Sequence, residues 1–164
     1  MKAEKPGEMI QVDHLSVTIE AGYQVRHFTA TCPITRLTVE QAYSNASSRS
    51  ASKFLDYMQE QFPFPILSVQ VDDGSEFMAE FEDSCQNKSI DLYVLPPRSP
   101  KFNGKVERRN GTARYEFYAL YDGPPQLEKI RHFIKKFMHL YNTFRPHQAL
   151  LYQTPWQYYQ SLGA

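Results

Sequence analysis

Apolar positions along this chain fall into short runs whose period changes partway through. Residues 9–17 alternate enough apolar side chains to predict a strand, and residues 23–31, rich in β-branched and aromatic types, follow the turn signal Ala21-Gly22. The two predict a hairpin. A third strand is predicted from residue 34 or 35 to 43, after Pro33. A Ser-rich lead over 44–52 gives way to Phe54, Leu55, Tyr57, Met58 and Phe62, spaced as one face of a helix that Pro63 and Pro65 end.

From residue 66 the pattern becomes strand, helix, strand. Residues 66–71 and 90–95 are short, nearly continuous apolar runs, as in strands buried on both faces. Between them, 75–85 reads as a helix with Phe77, Met78 and Phe81 on one side. Helical crossovers imply parallel strands, whereas the first three strands form a meander, so the sheet should be mixed with its second strand antiparallel. The run Pro96-Pro97-Arg98-Ser99-Pro100 excludes regular structure, because proline fixes φ and donates no hydrogen bond. Helices are predicted over 105–120, 126–141 and 155–161.

At 164 residues and 41% hydrophobic content the chain suits one domain spanning 1–164. No apolar run reaches the length of a membrane span, and the polar start excludes a signal peptide, so a cytoplasmic protein is expected. Cys32 and Cys85 lie in unrelated contexts and are expected to be reduced.

The formal net charge is zero, but its distribution is uneven. Residues 71–91 carry seven acids against Lys88, whereas 96–114 carry Arg98, Lys101, Lys105, Arg108, Arg109 and Arg114 against Glu107 alone. A second basic group, Lys129, Arg131, Lys135, Lys136 and Arg145, reads equally well as a solvated helix face. An acidic site beside a basic face remains compatible with a nucleic-acid partner.

Three carboxylates have distinctive settings. Asp13 lies in an apolar strand, Asp72 ends the fourth strand, and Glu107 sits in a helix after the Pro/Gly-rich loop. If the strand order is 3-2-1-4-5, the first two are neighbours and Glu107 arrives across the same edge. Crowded carboxylates raise one another's pKa, whereas hard divalent cations such as Mg²⁺ or Mn²⁺ keep all of them ionised. Singly, each has an ordinary reading: Asp72 as a turn residue and Glu107 as a surface ion-pair partner, while Asp13 is harder to dismiss because burying an unpaired carboxylate is costly. His14, next to Asp13, points to the opposite face of its strand and is expected to be structural.

Five phrases then occur in order: Lys-Pro-Gly-Glu-Met-Ile-Gln-Val-Asp at 5–13, Val-Asp-Asp-Gly-Ser-Glu-Phe at 71–77, Ser-Pro-Lys-Phe-Asn-Gly-Lys-Val-Glu-Arg at 99–108, Tyr-Asn-Thr-Phe-Arg-Pro-His-Gln-Ala-Leu at 141–150, and Thr-Pro-Trp-Gln-Tyr-Tyr at 154–159. Together they resemble the catalytic core of the DDE transposase and retroviral integrase superfamily, most closely its bacterial insertion-sequence transposases. The resemblance implies a ribonuclease H-like α/β fold, a five-stranded mixed sheet of order 3-2-1-4-5 flanked by helices, with Asp13, Asp72 and Glu107 at the triad positions. The interval between Asp72 and Glu107 holds 34 residues, one fewer than in many relatives. Cys32 stands where relatives often have an acid, Asp73 where Asn is common, and Gly111 where a base is common.

The resemblance further implies in-line phosphoryl transfer on DNA, hydrolysis at a 3′ end followed by strand transfer, with two Mg²⁺ or Mn²⁺ ions on the triad. Arg98, Lys101, Asn103, Lys105, Arg108 and Arg114 are the expected DNA contacts, and a homodimer or larger assembly on transposon-end and target DNA is the expected working form. Such a protein acts at the bacterial nucleoid. A non-catalytic DNA-binding or dimerisation module, or a ribonuclease H-like nuclease without strand transfer, are the alternatives. No segment for reading DNA ends is visible in this chain. The aromatic stretch 115–121 is expected to serve the core or a dimer interface, the phrase at 141–147 to pack and cap a helix end, and the loop at 96–104 to be mobile, leaving Glu107 displaced without metal or DNA.

Overall fold

A computed structural model of the chain describes residues 2–97 and 103–163. Its strands are β1 (Ile10–Glu20), β2 (Tyr23–Thr31), β3 (Thr38–Tyr43), β4 (Ser68–Val71) and β5 (Asp91–Val94), in the spatial order β3-β2-β1-β4-β5. β1, β2 and β3 pair antiparallel, while β4 runs parallel to β1 and β5 parallel to β4. This is the mixed sheet expected. β3 begins at Thr38, later than the pattern implied, because the chain first turns: Arg36 donates its N–H to Cys32 and Cys32 donates to Leu37, both at 2.9 Å.

Strand periodicity sorts the side chains onto two faces. One face carries Ile10, Val12, Phe28, Ala30, Val39, Val69 and Val71, and packs against helices α1 (Ser48–Gln61) and α2 (Glu80–Asn87). α1 starts where the Ser47 hydroxyl accepts the Ser50 N–H, a cap worth about 1 kcal/mol, and buries Ala51, Phe54, Leu55 and Met58 at helical spacing. The helix expected over 75–85 is interrupted: Ser75–Phe77 forms one 3₁₀ turn, Ala79 adopts φ 46°, and α2 starts only at Glu80.

The opposite face packs against α3 (Gly104–Thr112) and α4 (Leu127–Thr143). α3 buries Val106, Arg109 and Asn110, then widens into a π-helical turn at Ala113–Phe117, which buries Ala113, and a 3₁₀ turn at Tyr118–Leu120. Phe117, Tyr118 and Tyr121 join Ile130 and Ile134 of α4 in a second core over Val25 and Ala42, so much of the aromatic stretch is core. Asn142 of α4 closes the edge of β3 as a strand would, accepting the Thr38 N–H at 3.0 Å and donating to the Thr38 carbonyl at 2.8 Å. α5 (Pro155–Ser161) follows the expected bounds, started by a capping box between Thr154 and Gln157. Among the described residues no helix is long and apolar enough to cross a membrane.

Candidate active site

The fold brings the three carboxylates to one edge. The β1–β4 ladder pairs Ile10 with Val69 and Gln11 with Gln70; continued at the same offset, it sets Asp13 level with Asp72, just past the end of β4. Asp13 has the parity of Gln11 and so faces α3. Val106 of α3 donates its N–H to Gln11 Oε1 at 3.4 Å, and Asn110 Nδ2 donates to Asp13 Oδ2 at 3.0 Å. Glu107 lies one turn before Asn110, exposed on the same side of the helix, in the first turn where the helix dipole favours an acid.

Asp13 records this convergence. Burial raises its carboxyl pKa, and the charges of Asp72 and Glu107 add to the rise, to about 6, against the opposing His14 backbone hydrogen bond of 2.8 Å. Asp72 is exposed, with Oδ1 accepting the Gly74 N–H at 3.1 Å; Asp73 beside it is exposed too. The described ion pairs include none of the triad carboxylates, and no three His, Cys, Asp or Glu among the described residues stand close enough together to hold a metal ion. The carboxylates therefore share one field without forming a closed chelate. Their donor chemistry fits a hard divalent cation: oxygen only, and an Asp13 whose ionisation is penalised first by burial and then by the charges of Asp72 and Glu107, which a cation would offset.

On the other face of β1, His14 Nδ1 pairs with Glu76 Oε1 at 2.8 Å, and the His14 ring stacks on Phe28. The pair raises the His14 pKa, and it lowers that of Glu76 against the opposing effect of burial. It ties the turn after Asp72 to β1, the structural role expected of His14. Gly74 fits here because a Cβ would stand 2.5 Å from the Glu76 carboxylate.

Of the expected DNA contacts, Arg98 and Lys101 lie outside the described residues, as does most of the loop expected to be mobile. Lys105 is half-buried, with Nζ donating to the Pro33 carbonyl at 3.1 Å, while Arg108 and Arg114 are exposed. Asn103 is 4% exposed at the start of α3, where its carbonyl accepts the Glu107 N–H; it positions the helix instead of facing solvent.

Sequence reading missed two features. Asn110, the amide that holds Asp13, was signalled only by its spacing from Glu107. Arg109, counted among the basic surface residues, is 2% exposed. It donates to Glu40 Oε2 at 2.6 Å, with its guanidinium 3.7 Å from the Tyr141 ring centroid and 4.5 Å from that of Phe137. Glu40 also faces His27 Nε2 at 3.3 Å, and His27 Nδ1 hydrogen-bonds the Tyr118 hydroxyl at 2.8 Å. Burial pushes the Glu40 pKa up, but Arg109 and His27 outweigh it and hold the carboxyl at about 2.

Sheet order and helix placement define a ribonuclease H-like fold, a mixed five-stranded sheet of order β3-β2-β1-β4-β5 flanked by helices. Residues 88–155 match the family model of the integrase core domain. A protein of Spiroplasma virus SpV1-C74 named as a putative integrase, ORF3, is 26% identical over 148 aligned residues covering 79% of this chain. The chain spans 40% of that relative's length. The fold is similar to the magnesium-bound integrase catalytic core domain of HTLV-2, with a TM-score of 0.74 at 18% identity over 94% of this chain and 97% of that one. It is also similar to a chain of the simian T-cell lymphotropic virus intasome, with a TM-score of 0.80 at 18% identity over 94% of this chain and 54% of that one. The integrase catalytic core of BIV gives 0.73 at 15% identity, covering 96% of each chain.

Proposed function

We propose that this chain is the catalytic core of a DDE-type polynucleotidyl transferase acting on DNA, with Asp13, Asp72 and Glu107 as its acidic triad. The observation that carries this reading is the shared field of the triad: Asp13 is raised to about 6 by burial with Asp72 and Glu107 beside it. A half-buried carboxylate kept beside two others at a cost to its own ionisation is a mark of a functional site.

Asp13, Asp72 and Glu107 would hold divalent metal; when bound, it would activate the attacking water or 3′-hydroxyl and stabilise the leaving oxygen of an in-line displacement. The chain's own residues do the positioning. Asn110 fixes the Asp13 carboxylate, the Asp72 side chain is held by its turn, and the first turn of α3 carries Glu107 to the same edge. Arg108 and Arg114 are exposed to meet DNA phosphates. The similarity to cores that the solved structures describe as dimeric and trimeric supports self-association, and exposed Leu120, Leu140 and Phe144 offer an apolar contact. Light scattering is expected to report a dimer at micromolar concentration; a monomer throughout would refute that assembly.

The test is a labelled candidate end duplex incubated with protein and Mn²⁺. Both 3′-end cleavage and joining to a second duplex are expected, and Asp72→Asn is expected to remove both. Cleavage without joining would favour a nuclease; metal-dependent cleavage retained by Asp72→Asn would refute the triad.

A further inference from the structure

A second charged site lies on the flank of α3 away from Glu107. At 100° per residue, Lys105, Arg108 and Thr112 share the helix side that Glu107 and Asn110 do not occupy. They line a cavity of about 420 Å³ together with Arg36 from the β2–β3 turn and Arg145 and His147 from the segment after α4. Four permanent cations and a histidine thus converge from three parts of the chain, and among the described lining residues there is no Asp or Glu.

The cations are incompletely balanced. Arg145 is paired through both terminal nitrogens with Glu116, and Lys105 is held by the Pro33 carbonyl. Burial lowers the pKa of Arg36, and the neighbouring Arg108 lowers it further; Lys105 is likewise lowered by burial and then by Arg36. His147 is pushed down to about 4 by burial and then by Arg145, Arg36 and Arg109. Its Nε2 is buried and has no hydrogen-bond partner among the described residues. Arg36 reaches the cavity from a left-handed backbone at φ 64°, a conformation uncommon for a non-glycine residue. Guanidinium and ammonium groups that line one cavity from three segments present donors to an oxyanion from several directions.

We propose that this cavity is an anion site that takes a backbone phosphate of nucleic acid, through Arg36, Lys105, Arg108, Arg145 and His147. The choice of nucleic acid rests on the function proposed above. A helix is about 10 Å across, so DNA presented to the carboxylates on one flank of α3 carries further phosphates within reach of the other. The site would anchor DNA away from the scissile bond, and it gives the Arg-Pro-His phrase at 145–147 a role beyond packing.

Two measurements on the full chain separate the site from the wider reading. In the first, inorganic phosphate is titrated into isotopically labelled protein while the His147 ring resonances are followed by NMR. They are expected to shift saturably and to stay fixed in Arg36→Gln; an unmoved His147 in wild type overturns the anion site. In the second, the affinity for a fluorescent duplex is measured against salt concentration. Arg36→Gln is expected to reduce the slope of log affinity against log salt by about 0.9, and Arg36→Gln with Arg108→Gln by about twice that. Arg36→Lys should keep the wild-type slope, and matched melting temperatures would show that each variant folds. A phosphate-induced shift with an unchanged slope in the double variant overturns the backbone assignment in favour of a small anion. Failure of wild type to bind any duplex would sink the nucleic-acid reading itself, and the phosphate titration would still report whether the cavity holds an anion.

Discussion

Two sets of charged side chains meet α3, and they differ in what faces them. On its buried side, Arg109 is enclosed with Glu40, His27 and Tyr118, opposite charges in contact and the Phe137 and Tyr141 rings against the guanidinium. At its exposed edge, Glu107 approaches Asp13 and Asp72, carboxylates alone, with an amide as the contact that reaches Asp13 from the helix. The first set neutralises itself and resembles a structural pin. The second leaves the charges of Asp72 and Glu107 near the half-buried Asp13, where a bound cation would offset them. One short helix thus carries both the anchor that fixes its position and the acid that this position delivers.

The largest difference should appear in activity. On the proposed function, Asp72→Asn is expected to reduce DNA cleavage by about a thousandfold or more, since several kcal/mol of transition-state charge stabilisation would come from a cation held there. Without metal its urea stability should stay within about 0.5 kcal/mol of wild type, as for an exposed position. Added Mg²⁺ or Mn²⁺ should raise the melting temperature of wild type but not of the variant. An equal rise in both would remove Asp72 from the cation site.

The pin should behave in reverse. Glu40→Gln leaves a buried guanidinium without its counter-charge and is expected to cost about 3–5 kcal/mol in urea unfolding. Glu40→Leu combined with Arg109→Met should cost less than either change alone, because no lone charge remains buried. Additive losses would show that the two residues act separately.

Acid and base should then divide the two sets by sign. The Glu40 pKa is held below its ordinary value, so its contribution to stability is present above about pH 4.5 and is lost as pH falls toward 2. That of Asp13 is raised from 3.8 to about 6, so the native state binds the extra proton in this range and stability falls as pH rises through it. Asp13→Asn should flatten the second limb, and Glu40→Gln the first, in melts recorded across pH without metal. A slope of the same sign for both would break the contrast. The smallest effect belongs to Arg114→Ala, expected to lower the salt slope of duplex binding by about 0.9; an unchanged slope would free Arg114 of that contact.

Much of the acidic edge was legible beforehand because its signals are local. An apolar strand interrupted by Asp13, a strand ending at Asp72 and a helix opening near Glu107 each follow from a few adjacent residues. The buried pin was not legible. Arg109 stands next to the exposed Arg108 in sequence and is of the same type, and only the rotation of α3 against the sheet turns one inward. The cationic cavity was equally hidden, since Arg36, Arg108 and His147 come from distant segments and share no period.

By itself, the chain determined what hydrophobic period and punctuation determine: five strands, the main helices, the breaks at proline and the phrases that resemble an integrase core. Those depend on interactions within a turn or two of the backbone. Tertiary structure alone decided which charges were dry or wet, paired or crowded, because a charge takes its energy from the dielectric and the partners that folding brings to it.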